Sequence, residues 1–389
     1  MKILAFAGAA LLIVLGALSA VAYRAGGQFE RDMLEAQATD PAVTSFRLRD
    51  VAVRRGLFSS SATAVIEMPG VIDPPGAPVE LEASQGLALD GSVLRVRTHL
   101  GPQANSPLGR YLAALGGPPK PVELRMGFGF DGTMDRLALD VSPLRTPEDG
   151  RIRRWQWGGA QMRMTTTGSY RKGGRSEGTV HSAPVKFTVA GPVEVKGEIG
   201  AMTQTFRSTG SETDMSETFE LVSDPSTIDG PAGQIRVDRM RMRGLIAVHL
   251  SKDATADNPS GLPPGRMALK GFEWTLSVSK PVEGRIAVSG QLEAPVPDVR
   301  EMQAKAPLEG ISPAEAAFRR SLRGAMELRV SASLLRDIAP PLEQRLLETG
   351  YFTRQGDDLV GPFVFGEGRV TLNGKLIQAE GAAPGAARR

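Results

Sequence analysis

Over much of this chain apolar residues recur at every second position, a period that confines those segments to β-sheet. Val185, Phe187, Val189, Val193, Val195 and Ile199 occupy odd positions, while Lys186, Thr188, Glu194, Lys196 and Glu198 occupy even ones. Successive strand side chains point to opposite faces, so this is a half-buried antiparallel strand pair, or one long strand broken at Gly191-Pro192. Leu94, Val96, Thr98 and Leu100 alternate with Arg95, Arg97 and His99 in the same way. Asp90-Gly91, Asp131-Gly132 and Asn373-Gly374 separate or close such runs and predict hairpin turns. Ile235 and Val237 fall on one face and Met240 and Met242 on the other, which predicts a bulge between them. With 45 Gly and 28 Pro in 389 residues, the chain is rich in turns yet below the level that marks disorder. The expected fold is mainly β (α+β), a large, twisted antiparallel sheet with few short helices.

Helical signals are sparse. Residues 28–38 place Phe29, Met33, Leu34 and Ala38 at helical spacing ahead of Pro41, which predicts a short helix. Ser312-Pro313-Ala314-Glu315 is a capping box that predicts a helix over 312–322. Pro340 or Pro341 opens another through Leu342, Leu346 and Leu347 to Gly350, where a C′ glycine belongs. Between these two, 326–333 alternates as a strand. Loops are expected at 69–78, 143–150, 168–178, 208–233 and 253–265.

Ile3 to Tyr23 is an uncharged run of 21 residues behind Lys2. About 20 apolar residues span a bilayer, whereas a cleavable signal has an apolar core of roughly 7–15. An uncleaved transmembrane helix is therefore expected over 1–23. The rival is a signal peptide cut after Ala20-Val21-Ala22. The remaining organisation is a juxtamembrane helix at 24–40, a β-rich domain at 41–377 and an Ala/Gly/Arg-rich disordered tail at 378–389.

Composition removes whole classes of chemistry. With no Cys, disulfides, Fe–S clusters, thiolate catalysis and Cys-containing zinc sites are excluded. Three His, at 99, 181 and 249, show no metal-ligand spacing. Lys and Arg number 46 against 43 Asp and Glu, a near balance without the footprint of a nucleic-acid binder. No cofactor, metal or catalytic residue is expected.

Two motifs match by letter only. Gly127-Phe128-Gly129-Phe130-Asp131-Gly132 reads G-x-G-x-x-G, but an alternating strand follows where a dinucleotide site needs a helix N-terminus, so a hairpin is expected. Gly174-Arg175-Ser176-Glu177-Gly178 reads G-x-S-x-G with His181 nearby, yet lacks the strand-turn-helix of a nucleophile elbow. A polar β-turn is the expected structure, and a serine hydrolase using Ser176 and His181 is the remote alternative. Arg153-Arg154-Trp155-Gln156-Trp157 interleaves basic and aromatic residues, as packed strands and membrane-interface surfaces both do. Arg153, Arg154, Trp155 and Trp157 are the candidate membrane or partner contacts.

Three segments together resemble the YdgA-like bacterial envelope proteins, a domain of unknown function. The N-terminal apolar segment leads to Val53-Arg54-Arg55-Gly56-Leu57-Phe58-Ser59-Ser60-Ser61-Ala62, similar to the family's Tyr-x-Arg-Gly-Trp/Leu-Phe-Ser-Ser. Thr98-His99-Leu100-Gly101-Pro102 is similar to its His-Gly-Pro-Leu, except that Leu100 separates His99 from Gly101, so no role passes to His99. Gly350-Tyr351 followed by Gly368-Arg369-Val370-Thr371-Leu372-Asn373-Gly374-Lys375 resembles its ending. Arg55, Gly56, Phe58, Ser59, Ser60, Gly350, Tyr351, Asn373 and Gly374 are the family-like positions. Structurally, 54–58 should lead into a strand at 63–68. The resemblance implies a single-pass protein of the bacterial inner membrane, its bulk in the periplasm, with no catalytic residue. The expected role is a non-enzymatic envelope function that handles lipid through an apolar sheet face, resembling AsmA-like proteins. The alternative is a self-associating homo-oligomer or partner-binding scaffold. Nucleic acid is not an expected partner.

Overall fold

The computed structural model describes residues 24–379 apart from 39–46, 68–77, 89–91, 130–131, 147–152, 169–172, 190–193, 251–264, 297–319 and a few single positions. The fold is mainly β: antiparallel strands form extensive sheet, with a few short helices. The expected membrane span at 1–23 lies outside the described residues. Among the described residues no helix is long and apolar enough to cross a membrane. The short helix does form, since residues 24–38 are helical wherever they are described (α1).

Contacts divide the chain into two compact units, 1–166 with 180–189, and 167–179 with 190–389. In the first, β1 (Arg47–Arg55), β2 (Ser59–Glu67), β3 (Val79–Leu87), β4 (Leu94–Pro102), β5 (Val122–Phe128) and β6 (Met134–Val141) pair each with the next. Strands β7 (Leu144–Arg145) and β8 (Arg153–Trp157) follow, and then β9 (Ala160–Thr167) returns to pair with β6. β10 (Gly174–Ser182) precedes β11 (Val185–Val189), which pairs with β8, as β7 does on its other side. The one helix within this ladder, α2 (Pro107–Ala114), carries Pro at its first position. Its N-cap is Ser106, whose Oγ accepts from Gly109 N at 2.9 Å, satisfying an amide with no intrahelical partner.

The alternation in the sequence becomes two chemically different sheet faces. Val53, Ala62, Ala83, Thr98, Leu124, Leu139 and Met162 form one register row across β1 to β6 and β9. One residue further on, the rows carry charge: Arg97 Nε lies 3.0 Å from Glu123, and Asp140 accepts from Arg163 at 2.7 Å and from Arg125. Partial burial pushes the Asp140 carboxyl up, but the hydrogen bonds and charges of Arg163 and Arg125 outweigh it and hold its pKa below the usual carboxylate range. A depressed folded-state pKa contributes stability that is present above the unfolded value of about 3.9 and lost as pH falls through the folded value. Both arginines are half-exposed and solvent-screened, so Asp140→Asn should cost no more than about 1 kcal/mol at neutral pH. Urea unfolding at stepped pH should show the wild-type advantage shrinking below about pH 4, and a gap that instead widens on acidification would refute the assignment.

The second unit contains β12 (Val195–Ile199), β13 (Met202–Gly210), β14 (Asp214–Ser223), β15 (Ser226–Gly230), β16 (Gly233–Leu250), β17 (Gly265–Lys280), β18 (Gly284–Pro295) and β19 (Arg323–Ser331). Next come α3 (Ala332–Ile338), α4 (Pro340–Glu348), β20 (Thr353–Gln355), β21 (Asp358–Gly366), β22 (Arg369–Leu372) and β23 (Lys375–Ala379). β13 pairs β14, and the ladder continues through β16, β17, β18 and β19 to β21. The long β16 takes β14 along its second half and β15 along its first, with β12 beyond β15. Phe352, Leu359 and Leu372 form a buried core beside Leu335, Leu346, Leu347 and Tyr351, so the two helices pack against β21 and β22, and β23 pairs β22 at the ladder's end.

Several expectations change. The segment 208–233 is not a loop but the end of β13, all of β14 and β15, and the start of β16. Its Ser, Thr, Asp and Glu residues resemble turn composition, yet in β14 Asp214, Ser216, Thr218 and Glu220 occupy one face of a strand whose other face carries Phe219 and Leu221. The expected turn at 174–178 is the start of β10, where Ser176 is 1% exposed. Leu144–Arg145 of the expected 143–150 loop is strand. The strand expected over 326–333 ends at Ser331 and becomes α3, a helix too short to show a 3.6-residue period. β11 and β12 take β8 and β15 as partners rather than each other. The strand expected at 63–68 begins already at Ser59, and Gln378 and Ala379 of the expected tail belong to β23. Most of the 312–322 helix lies outside the described residues, and Leu322 is not helical.

Other expectations hold. Gly132 takes φ +76° in the connection from β5 to β6, so G-x-G-x-x-G is a hairpin. The pairing of β16 with β17 skips Asp238, between Val237 opposite Val278 and Arg239 opposite Ser277. That bulge returns Ile235, Val237, Met240 and Met242 to one face.

Candidate functional site

The second unit's sheet brings apolar residues from distant segments into continuous rows. Leu221, Met242, Trp274, Val288 and Leu328 stand opposite one another from β14 to β19. Beside that row run Met240, Leu276, Ile286, Val330 and Leu359. A third holds Ile246, Leu269 and Leu292. Residues two apart on a strand share a face, so these rows make one apolar surface five to six strands wide. Leu359 and Val330 are buried under the helical end. Toward the middle, Met242, Trp274, Val288 and Leu328 are only half-buried. At the two ends of β16 the surface is more open: Met215, opposite Val248, is 43% exposed, and Ile228 and Ile235, directly opposite each other, are 38% and 47% exposed.

The opposite face is charged and internally paired. Arg241 Nε donates to Glu220 at 2.7 Å and Arg243 Nε to Glu273 at 2.8 Å, both across strands. At one end of this sheet His249 Nδ1 lies 2.6 Å from Asp214 Oδ1, both side chains largely exposed. A groove of about 680 Å³ beside this pair is lined by Arg266, Lys270 and Glu293 among others. Among the described residues no group of three or more His, Asp or Glu could hold a metal ion.

In the first unit, Trp155 and Trp157 share one face of β8, opposite Phe187 and Val185 of β11. Both are half-buried, and Trp157 Nε1 donates to Ser182 Oγ at 3.2 Å. Arg154 and Gln156 are exposed on the other side, and Arg153 stands opposite Val189. Arg154 therefore belongs to the face opposite the two tryptophans. Sequence reading missed two more cations on the basic side, Arg145 and Lys186. They come from β7 and β11 and meet Gln156 only through pairing.

The family-like residues fall at two structural joints. Arg55 ends β1, Gly56 N donates to Ser59 O at 2.8 Å in the turn, and Ser60 is buried in β2 while Phe58 is 51% exposed. At the other joint Gly350 ends α4 with φ +65°, and Asn373-Gly374, at φ +50° and +75°, turns β22 into β23. Asn373 Nδ2 donates to Gly350 O at 2.9 Å, and Lys375 Nζ donates to Thr349 O. The turn thus satisfies the two carbonyls just past α4, placing a cation near the end where the helix dipole is negative. Tyr351 packs against the same core.

His99 lies between Glu82 and Glu123 in register. Ser176 and His181 sit on one strand, five residues apart. They point to opposite faces with their backbones about 16 Å apart, which removes the geometry of a nucleophile and its base.

These features define an antiparallel-sheet protein whose two units each carry one apolar and one charged face. The profile of a family described as a bacterial protein of unknown function (DUF945) matches residues 1–221, and the chain belongs to that family. The match ends within β14, so the Gly350 to Lys375 joint lies beyond it. No curated protein and no solved structure matches the chain.

Proposed function

We propose that this chain is a non-enzymatic protein of the bacterial envelope, anchored by residues 1–23, that holds lipid acyl chains against the apolar face of its second unit. The observation that carries this reading is the set of rows centred on Leu221, Met242, Trp274, Val288 and Leu328, apolar across five strands yet half-buried at its middle. Each square ångström of apolar surface removed from water contributes about 25 cal/mol, so an acyl chain laid along such a row gains in proportion to its length. The YdgA-like pattern at Arg55 to Ser60 and at Gly350 to Lys375 supports the envelope placement, as does the uncharged run of 21 residues at the N-terminus.

Native mass spectrometry of the full chain extracted in mild detergent should show bound lipid. Fluorescence of a Trp274-only variant should be quenched by acyl chains brominated near their middle. Introducing Met242→Asp with Val288→Asp should abolish both signals. A chain that retains no lipid, with Trp274 unquenched, would sink the proposal.

A further inference from the structure

We propose that the β7–β8–β11 ladder of the first unit is a binding site for a phosphate-bearing ligand. This goes beyond the acyl-chain reading, because it concerns another unit and the opposite chemistry. The register sets Arg145 opposite Gln156, Gln156 opposite Lys186, and Arg154 opposite Thr188. These residues lie on one side of the ladder, and Arg145, Arg154, Gln156 and Lys186 are exposed. They line a groove of about 590 Å³ together with Thr146 and the end of α2. Three cations and an amide thus converge from three strands, with hydroxyls at Thr146 and Thr188, and no carboxylate lines the groove among the described residues.

Elsewhere in the unit the polar face carries both signs of charge. Arg97 pairs with Glu123, and Arg125 and Arg163 share Asp140. The ladder concentrates one sign of charge where the neighbouring sheet alternates both.

Guanidinium groups present planar paired donors that match phosphoryl oxygens, and a lysine adds a point charge. The carbonyls at the end of α2 would oppose an anion, but most already accept. Leu112 O takes Leu115 N and Gly117 N, Ala113 O takes Gly116 N, and Leu115 O takes Arg145 N. That last bond also fixes the backbone of Arg145 beside the groove. Trp155 and Phe187, opposite each other in the same ladder, also border the groove, with side chains that alternate to the other face.

The test uses the full chain in a neutral detergent, titrated with inorganic phosphate and followed by isothermal titration calorimetry. In parallel, the chain is floated with phosphatidylcholine vesicles containing or lacking phosphatidylglycerol. Wild type should bind phosphate saturably, or prefer the phosphatidylglycerol vesicles, and the Arg145→Gln/Arg154→Gln variant should lose at least tenfold in that affinity. Arg145→Lys/Arg154→Lys, which keeps the charge, should lose less, which separates charge loss from misfolding. Phosphate binding that competes with vesicle binding assigns a headgroup as the source; saturable phosphate binding with no vesicle preference assigns a soluble phosphorylated ligand. Absence of both signals in wild type, or unchanged affinity in the Gln variant, overturns the proposal. Met242→Asp/Val288→Asp should leave phosphate binding intact, so failure here and failure of the acyl-chain reading are distinguishable.

Discussion

Leu359→Ala is expected to destabilise the second unit by about 3–5 kcal/mol. Leu359 is 0% exposed and stands in β21 between Val330 of β19 and Arg354 of β20. Its side chain belongs to the core with Phe352 and Leu372, beside Leu328, Leu335, Leu346 and Leu347. Removing three carbons there loses their transfer free energy and opens a cavity that paired strands on both sides prevent from collapsing. The same strand supplies a control, because Val364 is 50% exposed, and Val364→Ala should change stability by less than about 0.5 kcal/mol. Urea unfolding followed by circular dichroism gives both values. A Leu359→Ala loss below about 1 kcal/mol would mean that the helices do not seal this end of the sheet.

Gly200→Val should be nearly as damaging, by the opposite mechanism. β12 and β13 run on from each other with a break only at Gly200 and Ala201, and their partners β15 and β14 break at Asp224-Pro225. At this joint Asp224 N donates to Ala201 O at 2.7 Å, and Gly200 N to Ser226 Oγ at 2.9 Å. A Cβ on residue 200 would lie 2.3 Å from Asp224 O and 2.5 Å from Pro225 O, both backbone atoms. Neither can swing aside as a side chain would, so the strands must part and both hydrogen bonds weaken. Overpacking of this kind costs about 1–3 kcal/mol or more. Gly230, on β15, has nothing within 4 Å of its Cβ position, so Gly230→Ala should be nearly silent. Equal thermal shifts for the two substitutions would show that the joint is not tight.

What the sequence made legible follows from physics that acts locally. Turn residues with positive φ, the bulge after Val237 and the helix closed by Gly350 all depend on neighbours within a few positions. β14 was hidden because Glu217 interrupts its apolar alternation: opposite Ile246, it puts a carboxylate where the period calls for an apolar residue. Ser176 was hidden because two glycines gave a strand the letters of a turn. The candidate sites were legible in halves. Trp155, Trp157 and Arg154 could be found on one strand, but Arg145 and Lys186 lie 41 positions apart and only pairing makes them neighbours. The apolar rows of the second unit likewise draw single residues from five strands, which no local period can reveal.

The skipped pairings have a consequence for how such a chain can change. β6 bypasses β7 and β8 to join β9, with Val141 directly opposite Ala160. β19 bypasses α3, α4 and β20 to join β21, with Ser331 opposite Asp358. Facing residues of paired strands lie only about 5 Å apart, so each bypassed stretch leaves and re-enters the ladder through adjacent doors. A turn of two to five residues can close the same gap, and lengthening the excursion costs only about 0.6 kcal/mol per doubling. The β7–β8 excursion and the helical cover are thus cassettes inserted at single rungs, free to grow, shrink or be exchanged while the rungs around them keep their register.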